Sequence, residues 1–333
     1  MMRVARLGPR LARALGAAVS LVALCACDVS STVGYNDQPL VPGGCVPDAS
    51  LHACASGGCV VTDLFAALHG IVTMAVDADD AYFVSAPGVL AKRPVGGGKL
   101  VELSDQLDQM QRITVDADHV YWTEFDGRVR GVPKAGGPIV DVTKVFGHPT
   151  SITADADDLY FVMPPTGEIV MAPTPSGMAT RLDGQAAPQA IALDGENVYW
   201  VNQGDAGAAN GKLVRAPRGN LTAAEVVASN LDAPVTLALS DDAVFWTSSA
   251  ALYTVPKAGG SPARIADGFN EPKNVAELDG FVYVVGLSGF TRTAVHGGAT
   301  ELLDGRWMSS MALGCDGIYA TGWTDDVMIR YGK

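Results

Sequence analysis

The sequence predicts an all-β fold, a seven-bladed β-propeller of four-stranded antiparallel blades. Three observations carry that expectation. First, one short pattern occurs seven times: an apolar residue, a small one, an acidic turn and an aromatic pair. It reads Met74-Ala-Val-Asp-Ala-Asp-Asp-Ala-Tyr82-Phe83 and then Ile113-Thr-Val-Asp-Ala-Asp-His-Val-Tyr121-Trp122. Second, the anchor aromatics Tyr82, Tyr121, Tyr160, Tyr199, Phe245, Tyr283 and Tyr319 follow one another at 39, 39, 39, 46, 38 and 36 residues. A period near 40 with alternating apolar positions is that of a propeller blade. Third, the seventh copy stops after a third strand, Val327 to Tyr331, while Gly57 to Leu64 resembles the turn and outer strand at Gly136 to Thr143. The segment Cys59 to Leu64 is therefore expected to complete the last blade and close the ring, which leaves no unpaired end.

The 333 residues are 48% apolar and 18% charged, with 38 glycines and 19 prolines. That balance suits a large, turn-rich β protein. The chain opens on a targeting segment, residues 1–26. Arg3, Arg6, Arg10 and Arg13 precede a 13-residue apolar run, Ala14 to Ala26, too short to span a bilayer as a helix. Its end, Leu24-Cys25-Ala26-Cys27, resembles a bacterial lipoprotein signal, which implies cleavage before Cys27 and lipid on its thiol. The alternative is an ordinary cleaved secretory signal. Either places the protein outside the cytoplasm; the lipoprotein reading anchors it at the cell envelope, facing the periplasm or the cell surface, with the membrane touched only through the N-terminal lipid.

Residues 27–57 read as a cysteine-containing tether and 58–333 as the propeller. Cys45, Cys54, Cys59 and Cys315 remain after Cys27. In an oxidising compartment these are disulfide candidates. Cys59 with Cys315 and Cys45 with Cys54 is one pairing, but an outer strand and an inner turn of one blade lie about 10 Å or more apart. Cys54 or Cys45 reaching Cys315 stays open.

Within each copy the first strand comes innermost. Eight residues before the anchor stand Met74, Ile113, Ile152, Ile191, Leu237, Val275 and Met311; seven before stand Ala75, Thr114, Thr153, Ala192, Ala238, Ala276 and Ala312. Small and apolar side chains fit where blades converge on the axis. Next come the acidic turns, begun by Asp77, Asp116, Asp155 and Asp194. Asp favours turns because its carboxylate accepts nearby backbone N–H groups. Calcium is the other use of such carboxylates, and their spread over separate blades argues for turn chemistry. The second strand carries the aromatic pair, which buries large area between blades. A third strand such as Arg128 to Pro133, a glycine-rich turn such as Lys134 to Gly137, and an outer strand such as Ile139 to Thr143 finish the blade.

The repeat resembles the YWTD and NHL class of propellers, through Tyr121-Trp-Thr-Glu124, Phe245-Trp-Thr-Ser248 and Tyr199-Trp-Val-Asn202. The resemblance covers about residues 58–333 and speaks for fold, not activity. Streptogramin-lyase relatives are the enzymatic analogy, with histidine and metal chemistry at the channel mouth. This chain has five histidines, no two adjacent in sequence, with His69 and His148 in loops that lead into a first strand.

Ligands are expected on the face formed by those lead-in loops and by the turns between second and third strands. The fourth copy is seven residues longer than the usual 39, and the surplus follows Trp200. Its loop offers Asn202, Gln203, Asp205 and Asn210. His148, Glu271, Trp307 and Trp323 complete the candidate set, the tryptophans because neither holds the anchor position. Glu124, Asp126 and Asp325 are expected nearby.

No nucleotide-binding loop, Ser-His-Asp order, haem motif or paired-carboxylate signature is present, and no cofactor or metal is expected. After removal of the leader, 36 acids face 19 Lys and Arg, a net charge near −17. Nucleic acid and acidic polymers are therefore excluded as partners, and a neutral or basic protein, peptide or glycan is favoured. A monomer acting as a binding or interaction scaffold is the leading expectation. A lyase- or hydrolase-type enzyme at the channel mouth, and a ligand-free envelope component, are the alternatives.

Overall fold

The computed structural model describes residues 61–65, 70–86, 88–105, 107–205, 207–314, 317–322 and 328–332. The chain divides into Met1–Thr32 and Val33–Lys333, and every described residue lies in the second unit. Cys27, Cys45, Cys54, Cys59, Cys315, His69, Trp323 and Asp325 fall outside the described residues, as do the signal segment and the tether.

The described chain forms seven four-stranded antiparallel sheets, as the periodicity predicts. We number the blades 1 to 7, spanning 71–104, 110–144, 151–182, 188–231, 238–267, 272–304 and 308–332. The one helical element among the described residues is a 3-10 turn, Leu221–Ala223, in an outer connection of blade 4. In blades 1 to 6 each strand pairs with the next in sequence. In blade 7 the strand Val61–Phe65 lies beside the last strand, Met328–Gly332, with Val61 opposite Tyr331 and Thr62 opposite Arg330.

Consecutive blades share their cores. Ile113 and Val115 of blade 2 pack with Ala75 and Tyr82 of blade 1, and Trp122 joins them. Tyr199 and Val201 of blade 4 likewise meet Leu237, Leu239 and Trp246 of blade 5. The aromatic pairs Tyr82-Phe83, Tyr121-Trp122, Tyr160-Phe161, Tyr199-Trp200 and Phe245-Trp246 are all buried. The inner strands, Ile71–Val76, Met110–Val115, Ser151–Ala154, Pro188–Leu193, Ala238–Leu239, Pro272–Leu278 and Met308–Gly314, surround an axial channel of about 400 Å³. Side chains nine residues before the anchor bridge some of these strands: Asn274 Nδ2 donates to the Met311 carbonyl at 2.8 Å, and Ser151 Oγ accepts from Ile191 N at 3.3 Å.

Candidate binding face and central channel

The channel has two unlike ends. At one, the inner strands finish in the acidic turns. Asp77 Oδ1 accepts the backbone N–H groups of Asp79 and Asp80, at 2.9 and 2.8 Å, and Asp116, Asp155 and Asp194 repeat that geometry. This is the turn chemistry the composition implies. The second oxygen does something the sequence reading missed. Asp77 Oδ2 accepts the Tyr82 hydroxyl at 3.0 Å and Lys134 Nζ at 2.6 Å. Lys134 belongs to the next blade. Arg218 holds Asp155 and Lys257 holds Asp194 in the same way, at 2.7 and 2.8 Å. Each cation directly follows the proline that ends a third strand.

Burial pushes the Asp77 and Asp194 carboxyls up, but the bonds from Lys134 or Lys257 and from the turn N–H groups outweigh it and hold both below the ordinary value. Burial, and then the neighbouring carboxylate, pushes Tyr199 up to about 12. Blade 5 lacks all three parts together: Ser240, Phe245 and, across the junction, Val295 occupy their places, and Val295 packs on the cluster that contains Phe245. Gly314 of blade 7 faces the same substitution, with Val95 packed beside Tyr319. Polar latch and apolar contact are thus alternative solutions to one junction.

Glu277 breaks the pattern at this end. Six residues before the anchor the other copies carry Val76, Val115, Ala154, Leu193, Leu239 and Leu313. Glu277 lines the channel there and accepts the Gly280 N–H at 3.0 Å. Burial, and then the nearby Asp279, Asp241 and Asp242, push its carboxyl up to about 7. Among the described residues no three His, Cys, Asp or Glu side chains are placed to hold a metal.

The other end, where lead-in loops enter the inner strands, is the face expected to bind. It carries the described sequence-predicted residues, but spread over several blades. Nine residues separate the paired Asn202 and Lys212 where three separate Ser85 and Val89 of blade 1, so this loop of blade 4 takes six of the seven surplus residues, and the outer connection with the 3-10 turn takes the other. Asn202 at its start is buried; its Nδ2 donates to Gln185 Oε1 at 2.9 Å, the same oxygen that accepts Trp200 Nε1. Asn202 therefore supports the loop from below. Asn210 Nδ2 donates to Asp205 Oδ2 at 2.8 Å, while Asn210 Oδ1 accepts Asp205 N, so the loop is closed on itself. Gln203 Oε1 accepts Gln189 Nε2 at 3.3 Å, next to the channel wall.

His148 and Glu271 lie on other blades. The His148 ring stacks on Phe125, centroids 3.7 Å apart, and its Nδ1 donates to the Phe125 carbonyl. Glu271 pairs with Lys273 at 3.0 Å. Trp307 is half-buried just before the inner strand of blade 7. Glu124 is 1% exposed, with Oε1 accepting Trp122 Nε1 and Arg130 Nη1; it belongs to the interior and not to the surface the sequence implied. Asp126 stays at the surface, on Arg128.

Two surface features went unread in the sequence. Phe125 and Phe146 are 45% and 86% exposed; Phe125 stacks on His148, and Phe146 stands two residues before it. Arg112 lines the channel nine residues before its anchor, where the other copies have Thr73, Ser151, Ala190, Thr236, Asn274 and Ser310. Protein encircles Arg112 as it would an interior residue, yet its surface is largely open to water, because it projects into the lumen. The open surface matters more for a ligand; the encirclement lowers its pKa, though an arginine stays protonated at neutral pH. A charge change against the column was the available signal for both Arg112 and Glu277.

No family model matches the sequence, and no curated protein matches it. Solved structures do resemble the fold. The crystal structure of the computationally designed Ika8 protein superposes with a TM-score of 0.61 at 11% identity, over 82% of this chain and 100% of that one. The crystal structure of the RRP9 WD40 repeats gives 0.61 at 9% identity, over 82% and 97%. At such identities the likeness concerns fold alone, a seven-bladed propeller with a WD40-like neighbour.

Proposed function

We propose that the protein is an envelope-anchored binding propeller of YWTD/NHL-like repeat type, which docks a neutral or basic protein or peptide on the lead-in face. Propellers commonly serve as interaction scaffolds, and one observation carries the reading to this face: Phe125 and Phe146 stand exposed there while the repeat's own aromatics are buried. Exposed aromatics on a face of polar turns are the composition of a binding surface. His148, on which the enzymatic alternative would depend, is engaged with Phe125, and this too favours binding. The Leu24-Cys25-Ala26-Cys27 ending supports the anchor.

The test uses detergent-solubilised envelope extract and the full-length protein. Phe125→Ser with Phe146→Ser should abolish capture of the specific partner and leave Tm within about 2 °C, because exposed side chains contribute little to stability. Unchanged capture would remove the aromatic surface from the reading, and recovery of a glycan in place of a protein would change the partner class. Cys27→Ala should move the protein from the membrane to the soluble fraction.

A further inference from the structure

We propose that Arg112 anchors a small-anion site in the lead-in end of the channel, and that its ligand is a compact organic carboxylate. This rests on the binding reading only in using the same end of the molecule.

Isolation of charge is the first argument. Eight described arginines sit on an Asp or Glu. Acids outnumber Lys and Arg by 36 to 23 in this chain, so a carboxylate partner is easily found. Arg112 has none among the described residues. Its one hydrogen bond there is from Nη1 to the Gln111 carbonyl at 3.0 Å. A guanidinium has five N–H donors in a planar fork, so an edge remains for a bidentate carboxylate.

Place is the second. The channel, about 400 Å³, is in the range that holds a small organic molecule. The lining at that end also carries hydroxyl and amide groups, Ser151, Gln189 and Asn274, and a second cation, Lys273, which is paired with Glu271; no carboxylate is itself part of the lining there. An encircling protein wall screens charge less than bulk water does, so an ion pair made there is stronger than at the surface. The channel's carboxylate, Glu277, belongs to the other end. Three residues of strand separate the two positions in the repeat, about 10 Å. An anion is thus drawn to one end of the channel and repelled from the other. The acidic exterior still disfavours anionic polymers, which cannot enter the lumen, and leaves small anions as the matching class.

Sodium succinate is the probe, titrated calorimetrically into the full-length protein at constant ionic strength. Saturable binding is expected for the native chain. Arg112→Gln should weaken it by about tenfold or more, since a charge-assisted pair is lost. Arg112→Lys should fall between, because charge remains and the fork does not. It also carries the comparison if the Gln variant folds poorly. Lys273→Gln removes a rim cation already paired with Glu271, and should change affinity by less than about threefold. No binding in the native chain, equal binding in Arg112→Gln, or an equal loss in Lys273→Gln would each overturn the site. A tighter, Arg112-dependent response to inorganic phosphate would overturn the carboxylate class. None of these outcomes touches partner capture by Phe125 and Phe146, so the two readings fail separately.

Discussion

At the scale of the residue, Glu277 and Asp77 show opposite ways for a carboxylate to live at a blade junction. Asp77 has a cation and two turn N–H groups, and its folded pKa lies below the ordinary value. Its contribution is present above the unfolded pKa and is lost as pH falls through the folded one. Glu277 has one N–H partner and acidic neighbours, and its folded pKa rises from 4.5 to about 7. Between those values the folded state binds the extra proton, so stability falls as pH rises through that window and the penalty is complete above it. Glu277→Gln keeps the shape and removes the charge. It should therefore match the native protein near pH 4.5 and exceed it at pH 8.5 by about 1–3 kcal/mol. Urea unfolding of both proteins at the two pH values checks this, and a stability difference independent of pH would show that Glu277 ionises freely.

At the scale of the element, the acidic turn is a hinge pin between blades as much as a turn. Lys134 reaches Asp77 across 57 positions of sequence, and its Nζ also lies 5.6 Å from the centre of the Tyr82 ring. Lys134→Met keeps the stem and deletes the charge, leaving a largely buried carboxylate with fewer partners. A loss of about 1–3 kcal/mol is expected, concentrated at the junction of blades 1 and 2. Hydrogen exchange should speed up there first, and uniform protection across all blades would mean that the latch carries no local weight. This element also marks how far sequence reaches. The columns seven and eight before each anchor reveal the inner strands because packing at the axis constrains every copy alike. The cations do not show themselves, because each partner lies in the following copy and Thr174 replaces one of them. Asn202 and Glu124 look like surface residues from their loop positions, yet they are buried under hydrogen bonds from side chains such as Trp122. Phe125 and Phe146 lie off the anchor column, but so do the buried Phe269 and Phe290, so their exposure is a property of the assembled face.

At the scale of the whole molecule, a circular array has a weakness that a single sheet lacks: its two ends must be joined. Here the seventh copy contributes three strands, and the fourth place in that sheet is taken by Val61–Phe65. We propose that this strand closes the ring, as the matching segments near the two termini imply. Removing residues 27–65 would leave the strand Met328–Gly332 as an edge, with backbone groups that Val61, Thr62 and Asp63 now face. Open edges also recruit other chains, so aggregation should accompany the loss. Removing a strand's worth of pairing and packing should cost at least about 2 kcal/mol, which for a domain of this size lowers Tm by about 3 °C or more. A shorter truncation, of residues 27–57, separates closure from tethering. It deletes the segment read as tether and spares the strand, so it should melt with the full chain. Melting curves of the three proteins decide the matter: if the long truncation melts with the full chain, Val61–Phe65 is an ornament on the last blade, and the ring holds through blade-to-blade packing alone.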